Sequence, residues 1–162
     1  MLEIEPLTAA DKQAIAGWPA YAPPYEKLDY GVRSGKGWLD THPNALAFGF
    51  WREHRLVAFT LLVPTSPGIA EFYVAVHPAA LNQHVGSEAA RATVVIGFER
   101  HAFRSIFLRV RVNHPVGMHV YQKLGFTITG DMNVEADGVP TEFHRMELTK
   151  AQWIASSGSK AT

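Results

Sequence analysis

The stretch from residue 69 to residue 112 constrains the fold more than any other. It opens with IAEFYVAV (69–76), an apolar and aromatic run of strand length. After a polar break, Ala90, Val94, Phe98 and Ala102 fall four residues apart, which is one face of an amphipathic helix over 87–104. The stretch closes with IFLRVRV, where apolar residues alternate with arginine as in a strand over 106–112. A strand, a helix and a strand in succession need a crossover, and a crossover joins parallel strands. The fold class expected is therefore α/β (α+β), with a central twisted mixed sheet and helices on both faces.

The remaining elements extend that sheet. Leu2, Ile4 and Leu7 alternate with polar residues and predict a short opening strand. Thr8, with Asp11 three residues on, predicts a helix start, and Trp18-Pro19 ends that helix. Residues 19–30 (PAYAPPYEKLDY) read as an ordered loop entering a short second helix. Two strands, 45–51 and 56–63, flank Arg52-Glu53-His54-Arg55, a polar hairpin tip. A turn is expected over 64–68. Ser87 is the expected N-cap of the crossover helix. A short helix over 116–124 stops at Gly125, and strands 126–133 and 142–148 enclose Asp137-Gly138. The end, 156–162, is small and polar and is expected to fray. Neither a repeat nor a linker divides the 162 residues, so one domain is expected over 1–150, followed by a tail over 151–162.

Composition narrows the function. Lys plus Arg and Asp plus Glu number 15 each, so the basic excess of a nucleic-acid binder is absent and no nucleic-acid partner is expected. No run of 18 apolar residues occurs, so no membrane partner is expected. The opening MLEIEPLTAADK lacks the basic start and apolar run of a signal peptide, which leads to an expectation of the cytoplasm. There is no cysteine, which excludes disulfides, thiolate metal sites and a cysteine nucleophile. Histidines at 42, 54, 77, 84, 101, 114, 119 and 144 make no HExxH pair or tight ligand cluster, so no metal is expected.

The segment NHPVGMHVYQKLGF (113–126) brings a family into view. An Asn after a strand and a short helix ending in Tyr121-Gln122-Lys123-Leu124-Gly125-Phe126 resemble the last signature of the GNAT acetyltransferase superfamily. The order of elements resembles that family too, in particular its ribosomal-protein N-acetyltransferase-type members. The resemblance implies the GNAT acyl-CoA N-acyltransferase fold, acetyl-CoA as co-substrate, and transfer of acetyl to a primary amine of a small molecule or a protein N-terminus. The family makes no acyl-enzyme, and the missing cysteine agrees. A homodimer is compatible with it.

The resemblance also assigns the loop in VAVHPAALNQHVGSEAAR (74–91) to the pyrophosphate of CoA. In the family this loop reads Arg-Gly-x-Gly-x-Gly/Ala, and its backbone N–H groups join a helix N-terminus to hold the phosphates. Aligned without a gap from Pro78, Leu81 takes the arginine place, Asn82 and His84 take glycine places, and Gly86 takes the last. Asn and His tolerate positive φ better than other non-glycine residues, so the loop can still form. The residues implied in cofactor binding are Val74, Val76, Gln83, His84, Val85, Gly86, Ser87 and Glu88, with Asn113 or His114 in the place of the family Asn.

For the chemistry, the resemblance makes Tyr121 the general acid toward the leaving sulfur, and a phenol is protonated at neutral pH. Glu71, near the start of the third long strand, is the candidate base through water; its side chain shares a face with Tyr73 and Ala75. Trp18, Tyr21, Tyr25, Tyr30 and Tyr73 are the candidate acceptor-binding residues, either as an aromatic pocket or as a lid over the core. Two other readings stand beside this one: a non-catalytic acyl-CoA-binding or sensory domain with a degenerate phosphate loop, and a dimerisation module.

Overall fold

The computed structural model describes residues 2–23, 25, 31–32, 37–136 and 138–160. In chain order it contains β1 (Glu3–Pro6), α1 (Ala9–Ala16), α2 (Trp38–Thr41), β2 (Leu46–Arg52), β3 (Arg55–Ser66), β4 (Ile69–Val76), α3 (Val85–Arg100), β5 (Ser105–Arg111), α4 (Pro115–Leu124), β6 (Thr127–Ala136), β7 (Val139–Thr149) and α5 (Lys150–Lys160). The chain divides into two compact units, Met1–Val63 with Tyr73–Thr93, and Pro64–Phe72 with Val94–Thr162. β3, β4 and α3 each contribute to both.

In the first unit the strands run in the order β1-β2-β3-β4. β1 pairs antiparallel with β2 from Glu3↔Trp51 to Pro6↔Phe48, and β2 with β3 from Leu46↔Leu62 to Arg52↔Arg55. The period of two along a strand sorts its residues onto two apolar layers. Phe59, Leu61, Tyr73 and Ala75 pack with Ile15 of α1, Trp18, Tyr21 and Val32. Ala58 lies in the opposite layer with Val85 and Ala89 of α3, and Val74 and Val76 pack against it. Helices thus cover both faces in this unit. Thr60 is buried on the α3 side, where its hydroxyl meets that of Thr93 at 2.7 Å, and Thr93 donates to the Ala89 carbonyl at 2.8 Å. Both hydroxyls are therefore satisfied, which is what makes a buried polar pair tolerable.

In the second unit the order is β4-β5-β7-β6. β4 and β5 are the expected parallel pair, in register from Ile69↔Ser105 to Glu71↔Phe107. β7 is antiparallel to both β5 and β6. Ile106, Leu108, Met146, Leu148, Phe98 and Phe126 form its buried interior. Gly125 ends α4 with φ of 105°, a left-handed stop that a side chain would strain.

Several boundaries differ from the sequence reading: β3 runs on to Ser66 through the expected turn, β6 and β7 reach Ala136 and Val139, and three helix ends are displaced. α3 begins at Val85, so Ser87 sits in its first turn rather than capping it; the His84 carbonyl already accepts the Glu88 N–H at 3.1 Å. α3 also stops at Arg100, and the Arg104 N–H is drawn to the Gly68 carbonyl at 2.7 Å. The last residues are helical to Lys160 rather than frayed from 156. Thr149 and Gln152 form a reciprocal cap there, at 2.9 and 3.1 Å, and Trp153 packs 5.3 Å from Phe98. Among the described residues no helix is long and apolar enough to cross a membrane.

Candidate functional site

The loop after β4 is built by local chemistry. The His77 N–H bonds the Val57 carbonyl at 2.7 Å, and its Nδ1 accepts the Ala79 N–H at 3.0 Å, which starts a short 3-10 turn over Pro78–Ala80. Asn82 and His84 then both adopt left-handed backbone, with φ of 62° and 63°. These are the two positions that the gapless reading of the sequence sets in glycine places. α3 follows at once, and the N–H groups of Val85, Gly86 and Ser87 in its first turn have no acceptor among the described residues. Gly86 itself is helical; a Cβ there would meet only Val76 Cγ2, at an ordinary 3.4 Å.

Side chains fix this loop from several sides. Asn82 donates to the Tyr25 hydroxyl at 3.3 Å. Gln83 donates to the Ala79 carbonyl at 3.2 Å and accepts from Arg52 Nη2 at 2.6 Å. Leu81, in the arginine place, packs against the Trp18 cluster. The Glu88 carboxylate accepts the Leu2 N–H at 3.1 Å, so it is occupied by the start of the chain. The Val76 carbonyl accepts the Tyr21 hydroxyl, and Val85 is buried in the α3-side layer.

Of the aromatic residues proposed for an acceptor, Trp18, Tyr21 and Tyr73 are buried together in the α1-side layer. Tyr25 is half-buried at its edge, and Tyr30 lies outside the described residues. Trp38 and His42, which the sequence reading did not single out, each place a ring 4.9 Å from Tyr73. A cavity of about 120 Å³ in this unit is lined instead by Lys12, Gln13, Gly31, Val32, Leu39 and Asp40, among others.

In the second unit, α4 carries Tyr121. Its ring meets Phe72 at 6.3 Å and Phe126 at 6.2 Å, both edge-on. The residue keeps a partly exposed edge, and its hydroxyl has no hydrogen-bond partner among the described residues. Its apolar surroundings push the phenol up to about 12, because the phenolate would lose solvation there. Glu71 is 7% exposed, and Arg109 Nε donates to its carboxylate at 2.6 Å. Its charge is therefore already compensated.

Asn113 is exposed, whereas His114 is half-buried at the N-cap of α4. The imidazole lies over Gly117: a Cβ on that glycine would stand 2.5 Å from Cδ2 and 2.8 Å from Nε2. Burial, and then the charge of Arg111, hold the His114 imidazole below its ordinary value. A cavity of about 240 Å³ in this unit is lined by Val112, Asp131, Met132, Asn133, Glu142 and His144. His144 Nδ1 and Asp131 Oδ1, cross-strand partners, are 2.5 Å apart. The signal that could have found this cavity is the alternation of polar residues on both arms of the last hairpin. Among the described residues no group of three or more His, Asp or Glu is placed to hold a metal ion.

Residues 9–126 match the acetyltransferase (GNAT) family. The fold is similar to that of spermidine N-acetyltransferase from Vibrio cholerae in complex with CoA and spermine: 18% identity, TM-score 0.77, covering 94% of this chain and 98% of that one. It is also similar to spermidine/spermine N-acetyltransferase SpeG from Vibrio cholerae in complex with manganese ions, at 16% identity, TM-score 0.77 and 96% of each chain. No curated protein matches. The family match spans most of the chain, through the Tyr121 segment and the loop with left-handed Asn82 and His84, and this chain therefore belongs to the acetyltransferase (GNAT) family, whose enzymes move the acetyl group of acetyl-CoA to an amine.

Proposed function

We propose that the protein transfers acetyl directly from acetyl-CoA to a primary amine of a small molecule or a protein N-terminus, with both substrates bound at once. The observation that carries this reading is the left-handed pair Asn82 and His84 leading into the N–H groups of Val85, Gly86 and Ser87, which have no acceptor among the described residues. A concavity of backbone donors at a helix start suits an anion, and a pyrophosphate is the anion this family supplies there. His84 is exposed and adds a side-chain donor.

Acetyl-CoA supplies the thioester. Tyr121 holds a proton on Oη throughout the neutral range, with no protein acceptor competing for it among the described residues, and gives it to the departing sulfur. Glu71 takes a proton from the acceptor ammonium through water, which leaves a free amine to attack the thioester carbonyl, while Arg109 keeps the carboxylate fixed; the C–S bond then breaks, and the second proton that the nitrogen sheds on forming the amide restores the phenol. His114 is held neutral and contributes a hydrogen-bonding ring beside α4 without adding charge. The absence of cysteine from the sequence supports direct attack by the amine over a thiol-linked acyl-enzyme.

The test is release of free thiol from acetyl-CoA over a panel of primary amines, with polyamines and N-terminal peptides among them. Turnover with at least one amine is expected. A raised melting temperature with acetyl-CoA but no turnover on any amine would establish the non-catalytic acyl-CoA-binding reading instead. No thermal shift would exclude both.

A further inference from the structure

The phosphate loop lacks the cation that would ordinarily begin it. Leu81 stands in that place and turns its side chain into the Trp18 layer. A cation reaches the loop from elsewhere. β2 ends at Arg52, and Glu53 and His54 then make a two-residue tip with φ of 52° and 66°, so that the chain reverses and Arg52 pairs with Arg55. Arg52 is half-buried, and its Nη2 donates to Gln83 Oε1 at 2.6 Å, directly beside the left-handed pair. The guanidinium has five N–H donors in a planar fork. One of them holds Gln83, and the rest have no acceptor, and the cation no carboxylate partner, among the described residues. A second cation stands near: Arg55, the cross-strand partner of Arg52, adds its charge to burial in lowering the basicity of His77, at the head of the same loop.

We propose that Arg52 is a phosphate-binding residue, contributed by the β2–β3 hairpin, that contacts the pyrophosphate of acetyl-CoA in place of the arginine missing from the loop. This rests on the reading that residues 82–87 hold that pyrophosphate. Gln83 then has a positioning role, since its amide grips Ala79 on one side and steers the guanidinium on the other.

Calorimetric titration of acetyl-CoA into the wild type, Arg52→Gln, Arg52→Lys and Gln83→Ala tests it. Arg52→Gln should bind roughly tenfold more weakly, as expected for loss of a charge-assisted contact. Its affinity should also fall less steeply with added salt than that of the wild type, because one ion contact is gone. Arg52→Lys should recover most of the salt dependence, and Gln83→Ala, which frees the guanidinium without removing its charge, should lose clearly less affinity than Arg52→Gln and keep the wild-type salt dependence. The ratio between wild type and Arg52→Gln should persist with 3′-dephospho-acetyl-CoA. Its disappearance there would assign Arg52 to the ribose phosphate and overturn the pyrophosphate contact. Wild-type affinity and salt dependence in Arg52→Gln would overturn the role of Arg52 alone. An equal loss in Gln83→Ala and Arg52→Gln would reduce Arg52 to a prop for the loop. A wild type that does not bind acetyl-CoA would overturn the reading of the loop itself, and the inference with it.

Discussion

Glu71 and Arg109 stand 2.6 Å apart on adjacent parallel strands, Arg109 lying two residues beyond the cross-strand partner of Glu71. The carboxylate side chain is 9% exposed and the guanidinium 32%, so one partner is nearly dry and the other is reached by water. Removing the arginine takes the counter-charge from a nearly dry carboxylate, whereas removing the carboxylate leaves a guanidinium that water reaches. Arg109→Met is therefore expected to lower the unfolding free energy at neutral pH by about 2 kcal/mol in urea, below the range for fully buried pairs because Arg109 is partly solvated. Glu71→Gln should lose less. Equal losses in the two variants would show that the pair carries no such asymmetry.

Tyr121 offers a test with two readouts. Tyr121→Phe should lower kcat by roughly 100-fold or more while KM for acetyl-CoA changes by less than about threefold, as expected when an acid acts only in the transition state. The second readout is stability against pH. The folded phenol titrates near 12 and the unfolded one near 10, so the unfolded chain loses its proton first and stability falls as pH rises from about 10 to about 12. That fall should be shallower in Tyr121→Phe. An unchanged kcat would remove Tyr121 as the acid.

The left-handed backbone at His84 predicts a rank order. His84→Gly should fold as well as the wild type, since glycine enters this region freely. His84→Val should lose about 1–2 kcal/mol, because a β-branched residue is strained there. Thermal melts of the two variants check this, and equal stability would mean that the loop rearranges.

His114 and Gly117 are tied by space. Gly117→Ala gains helix propensity of about 1 kcal/mol in α4, but its methyl would fall within 2.5 Å of the imidazole and must push it off the helix. The ring then loses its burial, so its titration, followed by NMR, should move up toward the ordinary imidazole value of 6.5. In the wild type the depressed value also makes stability decline as pH drops through 6.5, because the unfolded chain binds the proton first. An unmoved His114 titration in Gly117→Ala would show that the ring is not held by this contact.

The strands were legible because their period of two survives into the layers: Phe59 and Leu61 face one helix and Ala58 the other, as alternation demands. The left-handed backbone at Asn82 and His84 was legible through the resemblance, which set both in glycine places, and through residue types that tolerate that conformation, whereas that at Glu53 and His54 was not. The start of α3 was not, because Ser87 is a good cap in isolation and only the turn through His84 puts it inside the helix. Trp38 and His42 escaped notice because α2 has four residues and carries no periodic signal; their place is set by Tyr73. The pairing of Glu71 with Arg109 depends on strand register, which the sequence of either strand alone does not contain.

A glycine loop and a loop held by Asn82 and His84 start from different ensembles. Glycines leave the empty loop many alternatives, and a ligand must suppress them as it binds. Here asparagine is tied to Tyr25, glutamine to Arg52 and Ala79, and both left-handed turns belong to side chains with few other options. Such a loop would give up less conformational entropy on receiving the phosphates proposed for it. What the substituted residues lose in steric ease they return as readiness for the anion proposed above.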